Sequence, residues 1–229
     1  MKNKLINKEI IKKVDTGLGD YNDEVIYVGG ATVSLYINDP AADDVRPTKD
    51  IDISLQILSI AQLEEIRQLL IKKGFTQSAE LGVICRFQLD DVLVDVMSTK
   101  AVGWAPANPW FSEGFEKREI VLIDGYNIQI MPLPYFLASK FSAFKDRGGN
   151  DPRLSKDLED ITYVLDNRTD WFEVLANGAK EVKGFLKICF QEILESAQLQ
   201  EAMMGFMFYE EQSQRFDMII GRMESFLNT

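Results

Sequence analysis

The sequence predicts an α+β fold in which an α/β lobe, residues 1–132, is followed by an all-helical lobe, residues 133–229. Strand-like apolar runs alternate with helical patterns as far as Met131. Beyond that residue, apolar side chains recur only at helical spacing. The length of 229 residues suffices for one large domain or two small ones, which agrees with a division into two lobes.

The first lobe begins with a helix and a strand. Over residues 2–13, the apolar residues Leu5, Ile6 and Ile10 are typical of a short amphipathic helix. Residues 24–28, with the sequence EVIYV, are apolar and rich in β-branched side chains, which favours a strand. We expect this strand to end at the glycine pair that follows it.

The middle of the first lobe alternates in the same way. Gly29 and Gly30 predict a turn, after which residues 31–37 resume helical character until an Asp-Pro pair ends it. Residues 51–55 alternate polar and apolar side chains, as a strand does. Residues 61–73 place leucine and isoleucine on one side of a helix, and a glycine follows its last turn.

Two hairpins complete the first lobe. The first, residues 83–97, turns at an Asp-Asp pair, and the second, residues 119–130, turns at Asp124-Gly125, which is a strong turn signal. The second lobe is predicted to be helical, with one clear loop at residues 147–152. Its helices are predicted over residues 136–145, 154–165, 171–175, 182–197 and 200–226.

The composition narrows the chemistry that is open to this chain. It contains no histidine, which excludes a histidine general base and histidine-rich zinc sites. Cys85 and Cys189 are too few for a four-cysteine metal site and indicate a reducing compartment. The net charge of −11 argues against broad nucleic-acid binding, although not against a local basic groove. Carboxylates, lysines and metal ions are the groups left to carry chemistry.

The sequence also predicts the cellular compartment of the protein. Charged residues interrupt every apolar run near the N-terminus, so no signal peptide is predicted. The longest stretch without a charged residue, residues 125–139, is too short for a membrane span and contains two prolines. We therefore expect a cytoplasmic protein without a membrane partner.

Three carboxylates are candidates for a metal site. Asp50 and Asp52 lie two residues apart in a predicted strand, so both face one side, roughly 6–7 Å apart at Cα. A cation between them would relieve their repulsion, although an acidic edge strand facing solvent has the same spacing. Asp95 lies in a run that otherwise predicts a buried strand, where a lone carboxylate is unfavourable. Either a divalent cation or exposure on the open side of a hairpin would remove that difficulty, and the first gives a two-metal phosphoryl-transfer site.

The Gly29-Gly30 turn is a candidate phosphate site. It lacks the Gly-Lys-Ser/Thr of a Walker A loop and the G-x-G-x-x-G pattern of a Rossmann fold. Two glycines between a strand and a helix leave backbone N–H groups free for phosphate, although they also make an ordinary turn. The glycine turn is informative about function because Asp50 and Asp52 follow it about 20 residues later in the sequence.

That combination resembles a known family. The stretch VGGATVSLYINDPAADDVRPTKDIDI resembles the nucleotidyltransferase superfamily of the DNA polymerase β type, which has a glycine turn, a D-x-D pair and a third aspartate on a later strand. Its RPTKDID segment is similar to the AbiEii family of toxin nucleotidyltransferases. KFSAFKDR, from Lys140, and KDLED, from Lys156, resemble that family's K-x-x-A-x-x-x-R and K/R-D-x-x-D motifs. The resemblance covers residues 25–165 and implies a nucleotidyltransferase-type lobe with a mixed sheet.

The resemblance implies a Mg²⁺- or Mn²⁺-dependent transfer of NMP from an NTP. Asp50 and Asp52 would hold both metal ions, and Asp95 would hold the second and help to deprotonate the acceptor hydroxyl. Lys140 and Asp157 complete the implied catalytic set. The residues implied in nucleotide binding are Gly29, Gly30, Thr32, Arg46, Lys140 and Arg147.

The spacing of Lys140 and Arg147 supports a basic face by itself, since residues at i and i+7 lie on one side of a helix. Residues 140–156 hold five basic and two acidic side chains in an otherwise acidic chain. This excess suits a triphosphate or an RNA end, although charge runs are also typical of a solvated helix face. Asp157 and Asp160, one turn apart, either orient Lys140 or belong to a surface ion pair.

The acceptor has more than one candidate. The resemblance to the toxin family implies a tRNA 3′ end, in a toxin–antitoxin or phage-defence system with a cognate antitoxin as partner. Aminoglycoside and lincosamide nucleotidyltransferases also combine a Gly-Gly turn with an arginine before an acidic triad, and an acidic surface suits a cationic antibiotic. A third alternative is a non-catalytic module that binds a nucleotide or a partner protein; the intact aspartates and Lys140 argue against it.

Overall fold

A computed structural model describes residues 2–48, 50–77, 85–147 and 151–229. Its internal contacts divide the chain into two compact units. The sheet unit comprises the chain up to Leu35 together with Asp44–Pro132, and the helical unit comprises Tyr36–Asp43 together with Leu133–Thr229. The short segment Tyr36–Asp43 thus belongs with the helices, although it lies far from them in the sequence.

Within the described residues, the sheet unit is built on a mixed sheet of seven strands, which are β1 (Val25–Val28), β2 (Asp50–Leu55), β3 (Thr76–Gln77), β4 (Arg86–Leu89), β5 (Val92–Ser98), β6 (Glu119–Ile123) and β7 (Tyr126–Ile130). Their order across the sheet is β3-β4-β5-β2-β1-β7-β6. β2 and β5 are parallel neighbours, as are β1 and β7, and the other neighbouring pairs are antiparallel. The predicted α+β class with a mixed sheet is therefore confirmed.

Both predicted hairpins are present. In the first, Leu89 pairs with Val92, so two residues form the connection; residues 83 and 84, which were predicted to start its first strand, lie outside the described residues. In the second, Asp124 and Gly125 have φ of 48° and 94°. Positive φ at both central residues is the requirement of a type I′ turn, which explains why this dipeptide was a reliable signal.

The helices of the sheet unit differ from the prediction at α1 (Lys2–Leu18), at α3 (Phe111–Glu116), which was not predicted, and in the segment after the glycine pair. α1 continues to Leu18, and the predicted apolar side of this helix was wrong, because Leu5 is 62% exposed. Its buried side is instead Asn7, Ile11, Val14 and Leu18. The predicted helical segment after the glycine pair is a short 3₁₀ helix, Gly30–Leu35, which has no α-helical N-terminus. The helices of this unit are α1 (Lys2–Leu18), α2 (Ile60–Lys72) and α3 (Phe111–Glu116).

The described part of the helical unit contains helices and no strand, as predicted. The prediction of one last helix over residues 200–226 was wrong, because the structure has two helices there, and the first of them ends at Gly205. Residues 148–150 of the predicted loop lie outside the described residues. Phe190 packs edge-on against Trp171 and Phe226, with ring centres 5.8 and 5.4 Å away. The helices are α4 (Leu133–Asp146), α5 (Lys156–Asn167), α6 (Trp171–Ala176), α7 (Lys180–Glu195), α8 (Ala197–Gly205) and α9 (Gln212–Leu227).

None of the helices within the described ranges combines the length and the apolar character that crossing a lipid bilayer demands.

Candidate active site

Three carboxylates share one face of the sheet, and we call Asp50, Asp52 and Asp95 the carboxylate cluster. In the parallel pair β2–β5, Asp52 lies beside Asp95. Residues two apart on a strand share a face, and residues side by side on neighbouring strands do so as well. Asp95 is 8% exposed, whereas the side chain of Asp50 is 44% exposed. The cluster therefore extends from the buried part of the sheet towards solvent.

The partner of Asp95 is an arginine that sequence reasoning did not single out. Arg86 donates from Nε and Nη2 to the two carboxylate oxygens of Asp95, each at 2.7 Å. Its Nη2 also lies 3.8 Å from Oδ2 of Asp50. The sequence argument offered a metal ion or solvent as the means of accommodating the Asp95 charge. The alternative in which Asp95 faces solvent is wrong, because this residue is 8% exposed. The structure instead shows a bidentate ion pair between Asp95 and Arg86.

The register of the first hairpin explains this pairing and could have revealed it. Leu89 opposes Val92 across the two-residue turn, so counting outward places Arg86 opposite Asp95. Directly opposed side chains of an antiparallel pair lie on the same face, close enough for an ion pair. The signal was missed because the turn itself was ambiguous, and the register could not be counted from it.

The glycine turn supports the cluster by allowing two side chains to approach the backbone. Gly29 has φ of 74°, and a Cβ there would collide with the carboxylate of Asp52. A Cβ at Gly30 would lie 2.5 Å from Nη2 of Arg46. Larger residues would therefore displace Asp52 or Arg46. The turn brings one carboxylate and one guanidinium to the same short piece of backbone.

Thr32 has a different place from the one predicted. It is fully buried, and its hydroxyl donates to the carbonyl of Gly29 at 3.0 Å. In this arrangement the side chain stabilises the turn from inside, rather than lying open to a phosphate. The predicted role of Thr32 in nucleotide binding stays a prediction. In this arrangement Thr32 would contribute to binding indirectly, by fixing the conformation of the glycine turn.

Two residues that were not predicted hold the chain before β2. Thr48 donates its hydroxyl to Oδ1 of Asp50 at 2.6 Å, which orients that carboxylate. Asn7, fully buried in α1, donates to the carbonyl of Arg46 and accepts from the N–H of Thr48, both at 3.3 Å. The polar residue on the buried side of α1 therefore serves the segment that leads into the cluster.

The cluster has the ligand chemistry of a Mg²⁺ site without being arranged as one. Carboxylate oxygens are the hard ligands that Mg²⁺ prefers. Across the four described ranges, however, no three His, Cys, Asp or Glu side chains form a group that could hold a metal ion. Arg86 takes both oxygens of Asp95, so a metal ion has to compete with it. The three aspartates as metal ligands stay a prediction.

Cys85 lies next to the cluster but is not suited to act as a nucleophile. Burial raises the pKa of its thiol above the ordinary value, and the negative charge of Asp95 raises it further. The thiolate is the reactive form, so the fraction that could attack an electrophile at neutral pH is small.

A second group of charges lies inside the helical unit, and we call Lys140, Arg147, Asp157 and Asp160 the lysine network. Lys140 is 7% exposed and contacts two carboxylates, with Nζ 2.7 Å from Oδ2 of Asp160 and 3.4 Å from Oδ1 of Asp157. Arg147 donates to the other oxygen of Asp157 at 2.7 Å. Lys140 lies on α4, and Arg147 follows the last residue of that helix. Because both side chains contact Asp157, they lie on the same side, as their spacing predicted.

The members of the network differ in their access to solvent. The side chain of Arg147 is 69% exposed, whereas Asp157 and Asp160 are almost completely buried. Arg147 and Asp157 line a cavity of about 670 Å³ together with Lys156 and Leu199. The cavity is large enough for a small ligand. Of the predicted phosphate-binding cations of this unit, Arg147 is thus accessible and Lys140 is not.

The sequence and structure were compared with known proteins. No protein-family model matches the chain, and no curated protein matches it in sequence. An antigenic nucleotidyltransferase-like protein from Paracoccidioides brasiliensis is similar in structure, with a TM-score of 0.51 and 19% identity over 86% of this chain and 91% of that one. The antibiotic-resistance factor ANT(2'')-Ia is similar with a TM-score of 0.50 and 15% identity over 82% of this chain and 93% of that one.

Sequence identities this low indicate a shared fold and do not indicate a shared chemistry. The likeness extends over most of each chain, so it takes in parts of both units. The resemblance of the motifs to the AbiEii family stays a prediction. The chain has the fold of nucleotidyltransferase-like proteins.

Proposed function

We propose that this protein is a divalent-metal-dependent nucleotidyltransferase, which transfers NMP from an NTP to a hydroxyl group of an acceptor. The observation that carries the proposal is the register of β2 and β5, which puts Asp52 beside Asp95 and on the same face as Asp50. The glycine turn lies against this face, since Gly29 contacts Asp52. Three carboxylates beside a glycine turn, in a fold shared with nucleotidyltransferase-like proteins, supply the types of ligand that this chemistry uses.

In the proposed reaction, the acceptor oxygen forms a bond to the α-phosphorus, and the bond from that phosphorus to the bridging oxygen of pyrophosphate breaks. Asp95 takes the proton of the hydroxyl, which is the part of a general base in a chain without histidine. Mg²⁺ or Mn²⁺, held by Asp50, Asp52 and Asp95, would neutralise phosphate charge and make the hydroxyl more acidic. Thr48 keeps Asp50 in place through its hydroxyl.

The nucleotide phosphates are proposed to lie against the glycine turn. Gly29 and Gly30 offer backbone N–H groups there, and Arg46, which lies against Gly30, adds a positive charge. In the helical unit, Arg147 and Lys140 are the proposed phosphate ligands, and Asp157 orients both. Lys140 can take that part only by exchanging a carboxylate partner for phosphate, because it is buried between Asp157 and Asp160.

The proposed acceptor is the 3′ end of a tRNA, as in AbiEii-like toxins with a cognate antitoxin. The support is the pair of motifs that begin at Lys140 and Lys156, because the residues of these motifs assemble around Asp157 in the lysine network. A cationic antibiotic is the second candidate. It is favoured by the net charge of −11 and by the structural likeness to ANT(2'')-Ia.

The test incubates the purified protein with each α-³²P-labelled NTP and Mg²⁺ or Mn²⁺, once with total tRNA and once with a panel of aminoglycosides. We expect label on the tRNA 3′ end, no label on the antibiotics, and no transfer by an Asp50→Asn, Asp52→Asn double variant. Label on an antibiotic instead would replace the tRNA proposal with the second candidate. Absence of transfer under all of these conditions, with no thermal shift by any NTP, would leave the non-catalytic alternative.

A further inference from the structure

Arg86 is the residue whose contacts the proposed function does not use. It lies on β4, opposite Asp95 on β5. Its guanidinium makes two hydrogen bonds of 2.7 Å to the carboxylate of Asp95 and lies 3.8 Å from Asp50. The side chains of Arg86 and Asp95 are 18% and 11% exposed. The pair is therefore well formed, mostly shielded from water, and located inside the proposed metal site.

The strength of this pair matters for any cation that approaches the cluster. Bidentate arginine–carboxylate pairs are among the strongest hydrogen-bonded contacts of proteins, and removal of water strengthens them further. A divalent ion that binds Asp95 needs the same oxygens to which Arg86 donates. It would also be repelled by the guanidinium, whose Nη2 lies 2.7 Å from Asp95 and 3.8 Å from Asp50.

We propose that Arg86 is a positioning residue that acts as the built-in counter-cation of the carboxylate cluster. It holds Asp95 in the metal-free protein, competes with the divalent ion for that carboxylate, and thereby weakens metal binding. The inference rests on the proposed function, since it takes the cluster to be the metal site. It also explains why Asp50, Asp52 and Asp95 share a face without forming a group ready to bind a metal ion.

The test measures Mn²⁺ binding by electron paramagnetic resonance in the absence of any nucleotide. Arg86→Gln should bind Mn²⁺ about 10-fold more tightly than the unchanged protein, the factor that corresponds to 1.4 kcal/mol. Arg86→Lys should fall between them, because a lysine lacks the planar fork that holds both oxygens. The matched control is Arg67→Gln. Arg67 donates from Nε to both oxygens of Glu64, at 2.8 and 3.0 Å, on exposed α2, and its loss should leave Mn²⁺ binding unchanged.

The measurement separates competition from a merely structural role. Loss of Arg86 leaves Asp95 without its partner, so Arg86→Gln should melt at a lower temperature, and Mn²⁺ should restore the loss. A structural residue would lower the melting temperature without tightening Mn²⁺ binding, and that result overturns the inference. If Arg86→Gln does not fold, Arg86→Lys decides: tighter binding than in the unchanged protein supports competition, and equal or weaker binding overturns it.

Failure of the inference and failure of the proposed function look different. If the unchanged protein binds Mn²⁺ and transfers nucleotide, but the Arg86 variants bind Mn²⁺ no more tightly, the Arg86 inference alone is wrong. If neither the unchanged protein nor any variant binds Mn²⁺ at millimolar concentration, both the proposed metal site and the inference are wrong.

Discussion

The carboxylate cluster of the sheet unit and the lysine network of the helical unit are built from the same kinds of side chain but are balanced differently. In the network, two cations meet two carboxylates, and Lys140, Asp157 and Asp160 are buried. In the cluster, three carboxylates share a face, and Arg86 makes its bidentate pair with one of them. The network is balanced among its own members, whereas the cluster carries an excess of negative charge.

This difference separates a group of charges that stabilises a unit from one that can bind a cation. Buried charges are tolerated when they pair with one another, because an unpaired buried ion loses its hydration without compensation. The network meets this condition, so its charges serve packing first. The cluster is partly open at Asp50, whose side chain is 44% exposed, so a cation from outside can reach it there. Substitutions in the two groups should therefore affect different properties.

The largest effect is expected from Asp52→Asn in the carboxylate cluster. Removal of this charge should reduce nucleotide transfer by about 1000-fold or more, which is roughly 4 kcal/mol of activation free energy. The measurement is label transfer under saturating NTP and Mg²⁺.

The same variant should lose its response to ligand. In the unchanged protein, NTP and Mg²⁺ at about 100 times their Kd should raise the free energy of unfolding by about 2.7 kcal/mol, which a thermal melt detects. Asp52→Asn should show no such shift. Retention of both transfer and shift in the variant would remove the carboxylate cluster from the mechanism.

The next largest effect is expected on the stability of the protein, from a substitution in the lysine network. Asp160→Asn leaves Lys140 buried with one weaker partner, so the free energy of unfolding should fall by about 3 kcal/mol. Urea unfolding measures it. The matched control is Glu192→Gln, which breaks the exposed pair of Glu192 with Lys145 and should cost less than about 1 kcal/mol. Equal losses in the two variants would mean that burial does not distinguish the network from a surface pair.

A smaller effect tests whether the network also contributes to catalysis. Lys140→Ala should slow transfer by about 30-fold, close to 2 kcal/mol of barrier, if Lys140 reaches phosphate in the reaction. Lys145→Ala should change the rate little, because Lys145 pairs with Glu192 on α7. Circular dichroism confirms folding of each variant. Full transfer by Lys140→Ala, with the loss seen for Lys145→Ala, would show that the motif is wrongly assigned.

The smallest effect is expected in the reactivity of the two thiols, Cys85 in the sheet unit and Cys189 in the helical unit. Burial raises the pKa of Cys189 to about 12, so iodoacetamide should leave it unmodified in the folded protein. Cys85 is partly exposed, and burial followed by the charge of Asp95 raises its pKa. It should react first, and faster in Asp95→Asn, because its pKa falls when that charge is removed. Mass spectrometry at pH 8 follows both sites, and earlier labelling of Cys189 would contradict the difference in burial.

Local chemistry accounts for the parts of the fold that were predicted well. Asp124-Gly125 predicted the second hairpin because few residues accept positive φ at both central positions of a tight turn. The same-side placement of Lys140 and Arg147 follows from helix geometry alone. The buried face of α1 was wrong because Asn7 is held there by the backbone of Arg46 and Thr48, some forty residues away.

The sequence by itself determined most of the strands and helices and the face that Asp50 and Asp52 share, since these follow from periods of two and 3.6 residues and from turn residues. Tertiary structure decided which charges meet. That Asp52 lies beside Asp95 and that Lys140 is buried between two aspartates depends on strand register and helix packing. Register between distant strands and the burial of an ion are set by contacts across the whole unit, which no local pattern encodes.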